Sequence, residues 1–296
     1  MTSMEVVTPG TVQELAAALN RMTPESRILA GGTDLIIALR RGEVASDMLV
    51  DISGVDELRR IRREGNRIVV GANATFSEIL QSDLIKKNAA CLAQAAGMIG
   101  SVQIRNRATI GGNIGTASPA GDAIPPLYVL KARASVLDGS GNMRSESIED
   151  LFAGPYQTTL KHNEAIVDFC FSVPGHPAAS TFVKLGTRST VTIARLNLAV
   201  AVSFKGESTE VDTARVALGA VGRTVFRSTS AEKLLTHSDL GGSSANEFAE
   251  LLRHAVEESI AGRYSLPYKR RAIAGLAYQA LDSLPGVRST GLGQQH

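Results

Sequence analysis

The sequence lacks the residues that build metal centres and has few that stack on bases or sugars. Its 296 residues contain no Trp, eight Phe and five Tyr, so aromatic platforms for stacking are scarce. The two cysteines, Cys91 and Cys170, are far apart and form no Cys-x-x-Cys motif. They support neither a disulfide framework nor an iron–sulfur or zinc site, and we expect no metal on this chain.

A strong excess of one charge and a long hydrophobic run are also absent. Lys and Arg total 31 and Asp and Glu total 29, giving a net charge of +2, so nucleic acid is not expected as a partner. The longest apolar stretch, residues 196–204, is interrupted by Asn197 and Ser203 and is far shorter than the ~20 residues that span a bilayer. The N-terminal residues show no signal-peptide pattern. We therefore predict a cytoplasmic protein with no membrane span.

The pattern of apolar residues divides the chain into two parts. Thr11 followed by Glu14 predicts a capped helix near the start of an α+β first part. In the second part, three apolar runs predict an antiparallel meander, at residues 182–185, 196–204 and 214–221. Two long helices are predicted after it, over 246–261 and 268–284. We predict an α+β protein with one domain over 1–175, a three-stranded sheet with helices over 180–286, and a flexible tail at 287–296.

The least ordinary segment is residues 101–126, SVQIRNRATIGGNIGTASPAGDAIPP. It is dense in Gly, Ala, Ser, Thr and Pro, a composition that is too turn-prone for a packed helix or a regular strand. We therefore predict an irregular segment that its isoleucines anchor.

Two Gly-Gly turns, each followed by a small hydroxyl or amide residue, are the main candidates for a ligand site. They are Leu29-Ala30-Gly31-Gly32-Thr33-Asp34 and Thr109-Ile110-Gly111-Gly112-Asn113. Successive residues without side chains let backbone N–H groups converge on one anion, and a helix N-terminus adds a favourable field. Two such turns would clasp a pyrophosphate. The alternative, that each pair only makes a tight turn, stays open, and neither turn fits the Gly-x-Gly-x-x-Gly or P-loop pattern.

The motifs AGGTDLI at 30–36 and TIGGNIGTASPAGD at 109–122 resemble the FAD-binding medium subunit of the molybdenum hydroxylases. This family includes xanthine, carbon monoxide, quinoline and nicotine dehydrogenases. Further strings occur in the expected order: IRNRATIGGN at 104–113, FVKLGTR at 182–188, ARVALGAVGRT at 214–224 and YSLPYKRRAIAGLAYQAL at 264–281. The resemblance covers nearly the whole chain, and the long second motif is its most specific part.

The resemblance implies a fold of the vanillyl-alcohol-oxidase type. In this fold two α/β subdomains, here with a boundary near residue 55, hold FAD, and the C-terminal sheet and helices follow. The implied cofactor-binding residues are Leu29, Ala30, Gly31, Gly32, Thr33, Asp34, Leu35, Ile104, Ala108, Thr109, Ile110, Gly111, Gly112, Asn113, Thr116, Asp122, Ile166 and Lys184.

Each group of these residues has an implied role. The two turns would wrap the pyrophosphate through backbone amides and the hydroxyls of Thr33 and Thr109. Thr116 and Asp122 would lie along the ribityl or adenosine hydroxyls, and Lys184 would lie near the flavin. The two isoleucines, Ile104 and Ile166, fall where the family packs apolar side chains against the ring system.

The resemblance also implies an electron-transfer role within a complex. The chain would carry noncovalent FAD and no catalytic residue of its own. A molybdopterin-binding large subunit would hydroxylate the substrate, and a [2Fe-2S] small subunit would pass the electrons to the flavin. The flavin would then pass them to a terminal acceptor. The expected assembly is a dimer of heterotrimers. The sequence names neither the organic substrate nor the acceptor.

Two other functions stay open on the residues alone. The first is a stand-alone NAD(P)H-dependent flavin reductase of the same fold, and the second is a non-catalytic nucleotide-binding module. Single residues also have alternatives: Ile104 and Ile166 as core residues, Asp122 as a helix cap, and Lys184 as a surface charge. Arg105 and Arg107 are expected to pair with solvent or a partner subunit and not with substrate.

Overall fold

The computed structural model of the chain describes residues 4–174, 178–188, 191–206, 210–238, 240 and 242–284. The predicted tail at 287–296 lies outside these residues. The chain divides into two compact units and passes from one to the other five times. The first unit takes in the described residues up to Leu84, with Ile99–Ser118 and Lys131–Val173, and the second takes in Ile85–Met98, Pro119–Leu130 and the described residues from Pro174 onward. The domain boundaries expected from the sequence stay a prediction.

The strands of the described residues are numbered in chain order. They are β1 (Glu5–Val7), β2 (Arg27–Leu29), β3 (Met48–Asp51), β4 (Ile61–Glu64), β5 (Arg67–Gly71), β6 (Arg133–Asp138), β7 (Met143–Ser147), β8 (Phe152–Gly154), β9 (Gln157–Thr158), β10 (Glu164–Ser172), β11 (Ala178–Leu185), β12 (Leu196–Phe204), β13 (Val211–Gly219) and β14 (Phe226–Arg227).

The α-helices follow the same numbering. They are α1 (Val12–Asn20), α2 (Leu35–Arg41), α3 (Phe76–Gln81), α4 (Asp83–Asn88), α5 (Ala90–Met98), α6 (Val102–Arg105), α7 (Ile110–Thr116), α8 (Ile124–Val129), α9 (Thr229–Leu235), α10 (Gly242–Ser259) and α11 (Leu266–Asp282).

The first unit contains a small parallel sheet and a larger antiparallel one. The parallel sheet has the order β1-β3-β2, and the antiparallel sheet has the order β4-β5-β10-β6-β7. The apolar stripe of α1, with Leu15 and Leu19 fully buried, joins a core that includes Val50 of β3 and Val167 of β10. Because β2 ends beside β3, the first Gly-Gly turn begins at the carboxyl end of the parallel sheet, where open α/β sheets bind ligands.

The predicted cap of α1 forms with one difference. The Thr11 hydroxyl accepts a hydrogen bond from the Glu14 N–H at 3.1 Å, as a capping box requires. The Glu14 carboxylate, however, accepts from the Gly10 N–H at 2.7 Å and not from Thr11. The helix start is therefore fixed by residues on both sides of its cap.

The prediction of an irregular segment at 101–126 is wrong, because this stretch contains α6, α7 and α8. Hydroxyl caps overcome the low helix propensity of its glycines: Ser101 accepts from the Ile104 N–H at 3.4 Å, and Thr109 accepts from the Gly112 N–H at 3.0 Å. Adjacent prolines at 125 and 126 occupy the start of α8, where a missing N–H costs nothing.

The second unit is built on an antiparallel sheet with the order β11-β12-β13-β14. The predicted meander is confirmed for β11, β12 and β13, but the prediction of three strands is wrong because β14 adds a fourth. Its two residues, Phe226 and Arg227, are too few to show a period in the sequence, and Arg227 is held by Glu232 at 2.6 Å. Helices α9 and α11 pack on this sheet and α10 packs on both helices, around a buried core that includes Leu198, Phe248 and Leu276.

Candidate functional site

The first Gly-Gly turn has a run of backbone N–H groups that no residue described in the structure accepts from. It connects β2 to α2, and Gly32 has a φ of 74°, a conformation that favours glycine. The N–H groups of Gly31, Gly32, Thr33 and Asp34 donate no hydrogen bond to any residue that the structure describes. Such a run of uncommitted donors is an anion-binding nest.

The second turn is different, because its N–H groups are already committed. It forms the first turn of α7, and the N–H groups of residues 110–113 all donate hydrogen bonds within the chain. The bonds run from Ile110 to the Ala74 carbonyl, from Gly111 to the Ala72 carbonyl, and from Gly112 and Asn113 to the Thr109 hydroxyl and carbonyl. This part of the expected amide clasp therefore does not present free donors, and the second turn contributes mainly position and side chains.

The two turns lie against each other in the first unit. A Cβ atom added to Gly31 would lie 2.0 Å from the carbonyl oxygen of Arg107, two residues before the second turn. A Cβ added to Gly111 would lie 2.7 Å from both the Cβ and the carbonyl oxygen of Ala72. Both positions therefore need glycine because other backbone approaches them closely. This requirement is additional to the tight turn that was the alternative explanation for each Gly-Gly pair.

A polar cleft opens beside the first turn. It is lined by Ala30, Gly31, Ser53, Arg59, Asn73, Thr75, Asn106, Arg107 and Thr109. The Arg59 guanidinium is paired with Glu78 at 2.8 Å. The side chain of Arg107, by contrast, has no hydrogen-bond or ion-pair partner among the described residues. Arg107 is exposed, which agrees with the expectation that it faces solvent, and it lines this cleft next to the nest.

Two buried amide oxygens in the first unit are also unused. Asn73 donates from Nδ2 to the Ile52 carbonyl at 2.5 Å, but its Oδ1 has no partner among the described residues. Asn113 Oδ1, on α7, likewise has none. Because buried polar groups are nearly always paired, these orphaned acceptors mark places where hydrogen-bond donors fit. Asn73 carried no sequence signal.

The other predicted site residues of the first unit are two threonines, whose hydroxyls donate hydrogen bonds within the chain, and two isoleucines, one exposed and one buried. Thr33 Oγ1 donates to Asp34 Oδ2 at 3.3 Å, and Thr116 Oγ1 donates to the Gly112 carbonyl at 2.9 Å. Ile104 is 37% exposed, so it is not a core residue and presents an apolar surface. Ile166 is 7% exposed, which fits the alternative that it belongs to the core of β10.

In the second unit, Lys184 and Asp122 form a buried ion pair. Lys184 Nζ lies 2.5 Å from Asp122 Oδ2, and the two side chains are 5% and 7% exposed. Asn197 Nδ2 donates to the other carboxylate oxygen at 2.9 Å. Burial raises the pKa of Asp122, and the Lys184 ammonium opposes that rise. Lys184 is therefore not a surface charge, and Asp122 does not cap α8.

Comparison with known proteins identifies the group to which these features belong. Residues 2–174 match the family model described as the FAD binding domain in molybdopterin dehydrogenase, and residues 181–284 match the CO dehydrogenase flavoprotein C-terminal domain. The chain belongs to this family. The predicted identity as an oxidoreductase flavoprotein of the medium-subunit type is thereby confirmed.

Relatives with the same organisation extend over most of the chain. The nicotinate dehydrogenase FAD-subunit of Eubacterium barkeri is 31% identical over 97% of this chain and 99% of its own length. The carbon monoxide dehydrogenase medium chain of Hydrogenophaga pseudoflava is 32% identical over 74% of this chain and 75% of its own.

The fold is also shared with a solved structure. The carbon monoxide dehydrogenase from Hydrogenophaga pseudoflava, in a form lacking the Mo-pyranopterin moiety of its cofactor, has a chain with a TM-score of 0.86 and 27% identity. The match covers 95% of this chain and 96% of that chain.

The residues present fit FAD. The pyrophosphate of FAD is a dianion, and the first unit offers it four uncommitted N–H groups and the unpaired Arg107 guanidinium. Orphaned Asn113 Oδ1 offers an acceptor on the neighbouring helix. Among the described residues, no group of three or more His, Cys, Asp and Glu side chains is placed to hold a metal ion, and no helix is long and apolar enough to cross a membrane.

Proposed function

We propose that this chain is the FAD-carrying electron-transfer subunit of a molybdenum-dependent hydroxylase or dehydrogenase complex. The observation that carries the proposal is the run of N–H groups from Gly31 to Asp34, which gives a dianion a docking point that no residue described in the structure occupies. The family models over both parts of the chain support the same conclusion.

The residues have separable tasks in this function. FAD, when bound, accepts electrons singly and releases them in pairs, which suits a position between an iron–sulfur chain and a two-electron acceptor. The Gly31 to Asp34 nest and Arg107 bind the pyrophosphate and fix the position of the cofactor. The Thr109 hydroxyl adds a donor, whereas the Thr33 hydroxyl donates to Asp34. The exposed Ile104 offers an apolar surface of the kind that excludes water from a ring system.

The binding is expected to be noncovalent. Neither turn contains a His or Cys, the residues that most readily tether a cofactor through a nitrogen or sulfur nucleophile. Acid precipitation of the purified chain should therefore release the yellow flavin into the supernatant. Colour that stays in the pellet contradicts this expectation.

A charge placed on α7 tests the pyrophosphate position. Gly112 is the third residue of α7, where an acidic side chain suits the helix dipole and the added Cβ meets only the Thr109 hydroxyl, at 3.0 Å. Gly112→Asp should therefore leave the chain folded but weaken FAD binding by more than tenfold, because one carboxylate near a dianion costs over about 1.4 kcal/mol at protein dielectric.

The matched control is Gly112→Asn, which has the same size and no charge. Titration of FAD into the unliganded chains, followed by flavin fluorescence, compares their dissociation constants. Equal dissociation constants for the Asp and Asn variants would remove α7 from the pyrophosphate site.

The partner subunits are part of the proposal. Relatives are named as the FAD-subunit or medium chain of larger enzymes, so we propose a molybdopterin-binding large subunit and a [2Fe-2S] small subunit, joined as a cytoplasmic dimer of heterotrimers. Affinity purification from the native host should recover both partners. The isolated chain, loaded with FAD, should oxidise no aldehyde or heterocycle, and turnover by the single chain would refute the assignment.

A further inference from the structure

The second unit carries a group of cations at one end of its sheet. Arg195 immediately precedes β12, and Ala220 immediately follows β13. Because Asn197 and Gly219 are cross-strand partners, Arg195 and Ala220 lie at the same end of the sheet. Lys269, near the start of α11, donates from Nζ to the Ala220 carbonyl at 2.5 Å, so its ammonium lies at this end as well.

Arg263 completes the group from the turn that precedes α11. Its N–H donates to the Ile260 carbonyl and its carbonyl accepts from the Leu266 N–H, both at 3.0 Å. The side chains of Arg195 and Arg263 are exposed and have no hydrogen-bond or ion-pair partner among the described residues. Burial lowers the pKa of Lys269, the charges of Arg263 and Arg195 lower it further, and no carboxylate of the described residues opposes them. Three cations therefore lie together without a counter-charge.

Other arginines of the second unit have such a counter-charge. Arg270, the residue after Lys269, pairs with Glu257 at 3.3 Å, and Arg253 on α10 pairs with Glu250. The uncompensated charge is therefore a property of one end of the sheet and not of the unit as a whole.

Three large apolar or aromatic side chains flank the cations and are open to solvent. Tyr264 follows Arg263 in the same turn and is 94% exposed, and Tyr268 is exposed in the first turn of α11. Ile193, two residues before Arg195, is 80% exposed. Tyrosine and arginine are enriched in protein–protein interfaces and among the residues that dominate their binding energy. We name these six residues the cationic surface: Ile193, Arg195, Arg263, Tyr264, Tyr268 and Lys269.

We propose that the cationic surface docks an acidic face of a partner subunit. The inference rests on the proposed function, which places the chain in a complex, and it assigns one surface of the chain to that assembly. A second copy of this chain docked through the same surface would bring cations against cations, an arrangement that disfavours the contact. A free nucleotide binds in a concave pocket, whereas Tyr264 and Ile193 are almost fully exposed.

Binding of poly-L-glutamate to the full-length chain tests the charge of this surface without a partner subunit. FAD is added in excess to occupy the nest, and the ionic strength is kept low. Arg195→Gln combined with Arg263→Gln should weaken binding by about tenfold, because two unpaired cations are lost. The matched control, Arg253→Gln combined with Arg270→Gln, removes the same net charge from arginines that are already paired, and it should bind as the wild type does.

Two results with this probe overturn the proposal. The first is equal binding by the two double variants, which would make the attraction a matter of net charge alone. The second is a wild-type chain that binds ADP through Arg195 and Arg263 but does not bind poly-L-glutamate, which would make the surface a phosphate site.

Arginine labelling tests the same surface in the assembled complex. Phenylglyoxal modification, read by peptide mass spectrometry, is compared between the free chain and the complex purified from the native host. Arg195 and Arg263 should be labelled in the free chain and protected in the complex. The variant that lacks both arginines should also leave the complex at a lower salt concentration than the matched control.

The outcomes separate this inference from the proposed function. A complex in which Arg195 and Arg263 are labelled as in the free chain overturns the docking surface and leaves the proposed function standing. A chain that purifies from its host without other subunits refutes the proposed complex instead. The comparison of the two double variants with poly-L-glutamate then still decides whether the cationic surface binds an acidic polypeptide.

Discussion

Replacement of Gly31 by alanine tests the close packing of the two glycine turns. The added Cβ would lie 2.0 Å from the Arg107 carbonyl oxygen, 2.7 Å from its carbon and 3.0 Å from the Cα of Ala108. All three atoms belong to backbone, so no side chain can rotate away. Since a Cβ and an oxygen need more than 3 Å, the backbone must shift by over 1 Å, and overpacking of this kind costs about 1–3 kcal/mol.

The matched control is Gly275→Ala, in the middle of α11. Apart from the backbone of α11 itself, no atom of the described residues lies within 4 Å of a Cβ at Gly275. Alanine in a helix interior is favoured over glycine by about 1 kcal/mol. The same chemical change should therefore lower the unfolding free energy at residue 31 and raise it at residue 275. Urea denaturation followed by circular dichroism gives both values.

The same variant should also affect the cofactor. A shift of the backbone at Arg107 moves a residue that lines the cleft, so the FAD dissociation constant of Gly31→Ala should rise while that of Gly275→Ala stays at the wild-type value. If Gly31→Ala matches wild type in both stability and FAD affinity, the two turns are not packed as described.

Three further predictions concern stability and reactivity. Gln94→Met should lower the unfolding free energy by about 1–3 kcal/mol, because Gln94 Oε1 accepts from the Phe182 N–H at 2.7 Å and the variant leaves that N–H unpaired; an unchanged urea midpoint contradicts this. Burial acts to raise the pKa of Glu164, but hydrogen bonds, chiefly from Arg144, outweigh it and hold that pKa below 4.5. A carboxyl whose pKa is lowered by folding stabilises the fold only while it is ionised, so stability should fall as the pH drops below about 4.5, and Arg144→Met should weaken this dependence. Burial raises the pKa of Cys91 to about 12, so iodoacetamide should label this thiol at neutral pH only after unfolding.

The sequence predicted the parts of the fold that depend on local pattern. Around the first Gly-Gly turn the sequence has an apolar run, two glycines and a further apolar run, a pattern typical of a strand, a turn and a helix, and the structure has β2, the nest and α2 there. The meander of β11, β12 and β13 was equally visible, because each strand is long and apolar.

The parts of the fold that the sequence did not predict depend on contacts between distant residues. Helix α7 contains three glycines, so its propensity argues against a helix, and it forms because Thr109 caps it and because Ile110 and Ile114 are fully buried. The commitment of its N–H groups to the Ala72 and Ala74 carbonyls could not be read from the motif, which predicted free donors in both turns.

The candidate site shows the same division. Motif positions pointed to Asp122 and Lys184, but their direct pairing, across 62 positions of sequence, has no local signature. Asn73 gave no sequence signal, and Arg107 was expected only to face solvent or a partner subunit. The unpartnered Asn73 Oδ1 and the cleft that both residues line depend on the fold.

The interleaving of the two units has a consequence for how the protein is made. Helices α5 and α8 belong to the second unit and pack against β11, β12 and β13, all of which are synthesised later. A ribosome adds about 5–20 residues per second, so for several seconds the nascent chain carries an α5 whose Cys91, Leu92 and Ala95 have no sheet to cover them. A pause in translation at residues 174–181, between the two family models, would therefore leave the apolar surface of α5 exposed. A gene fragment that stops there leaves this apolar surface exposed permanently, which favours aggregation over a soluble FAD-binding half.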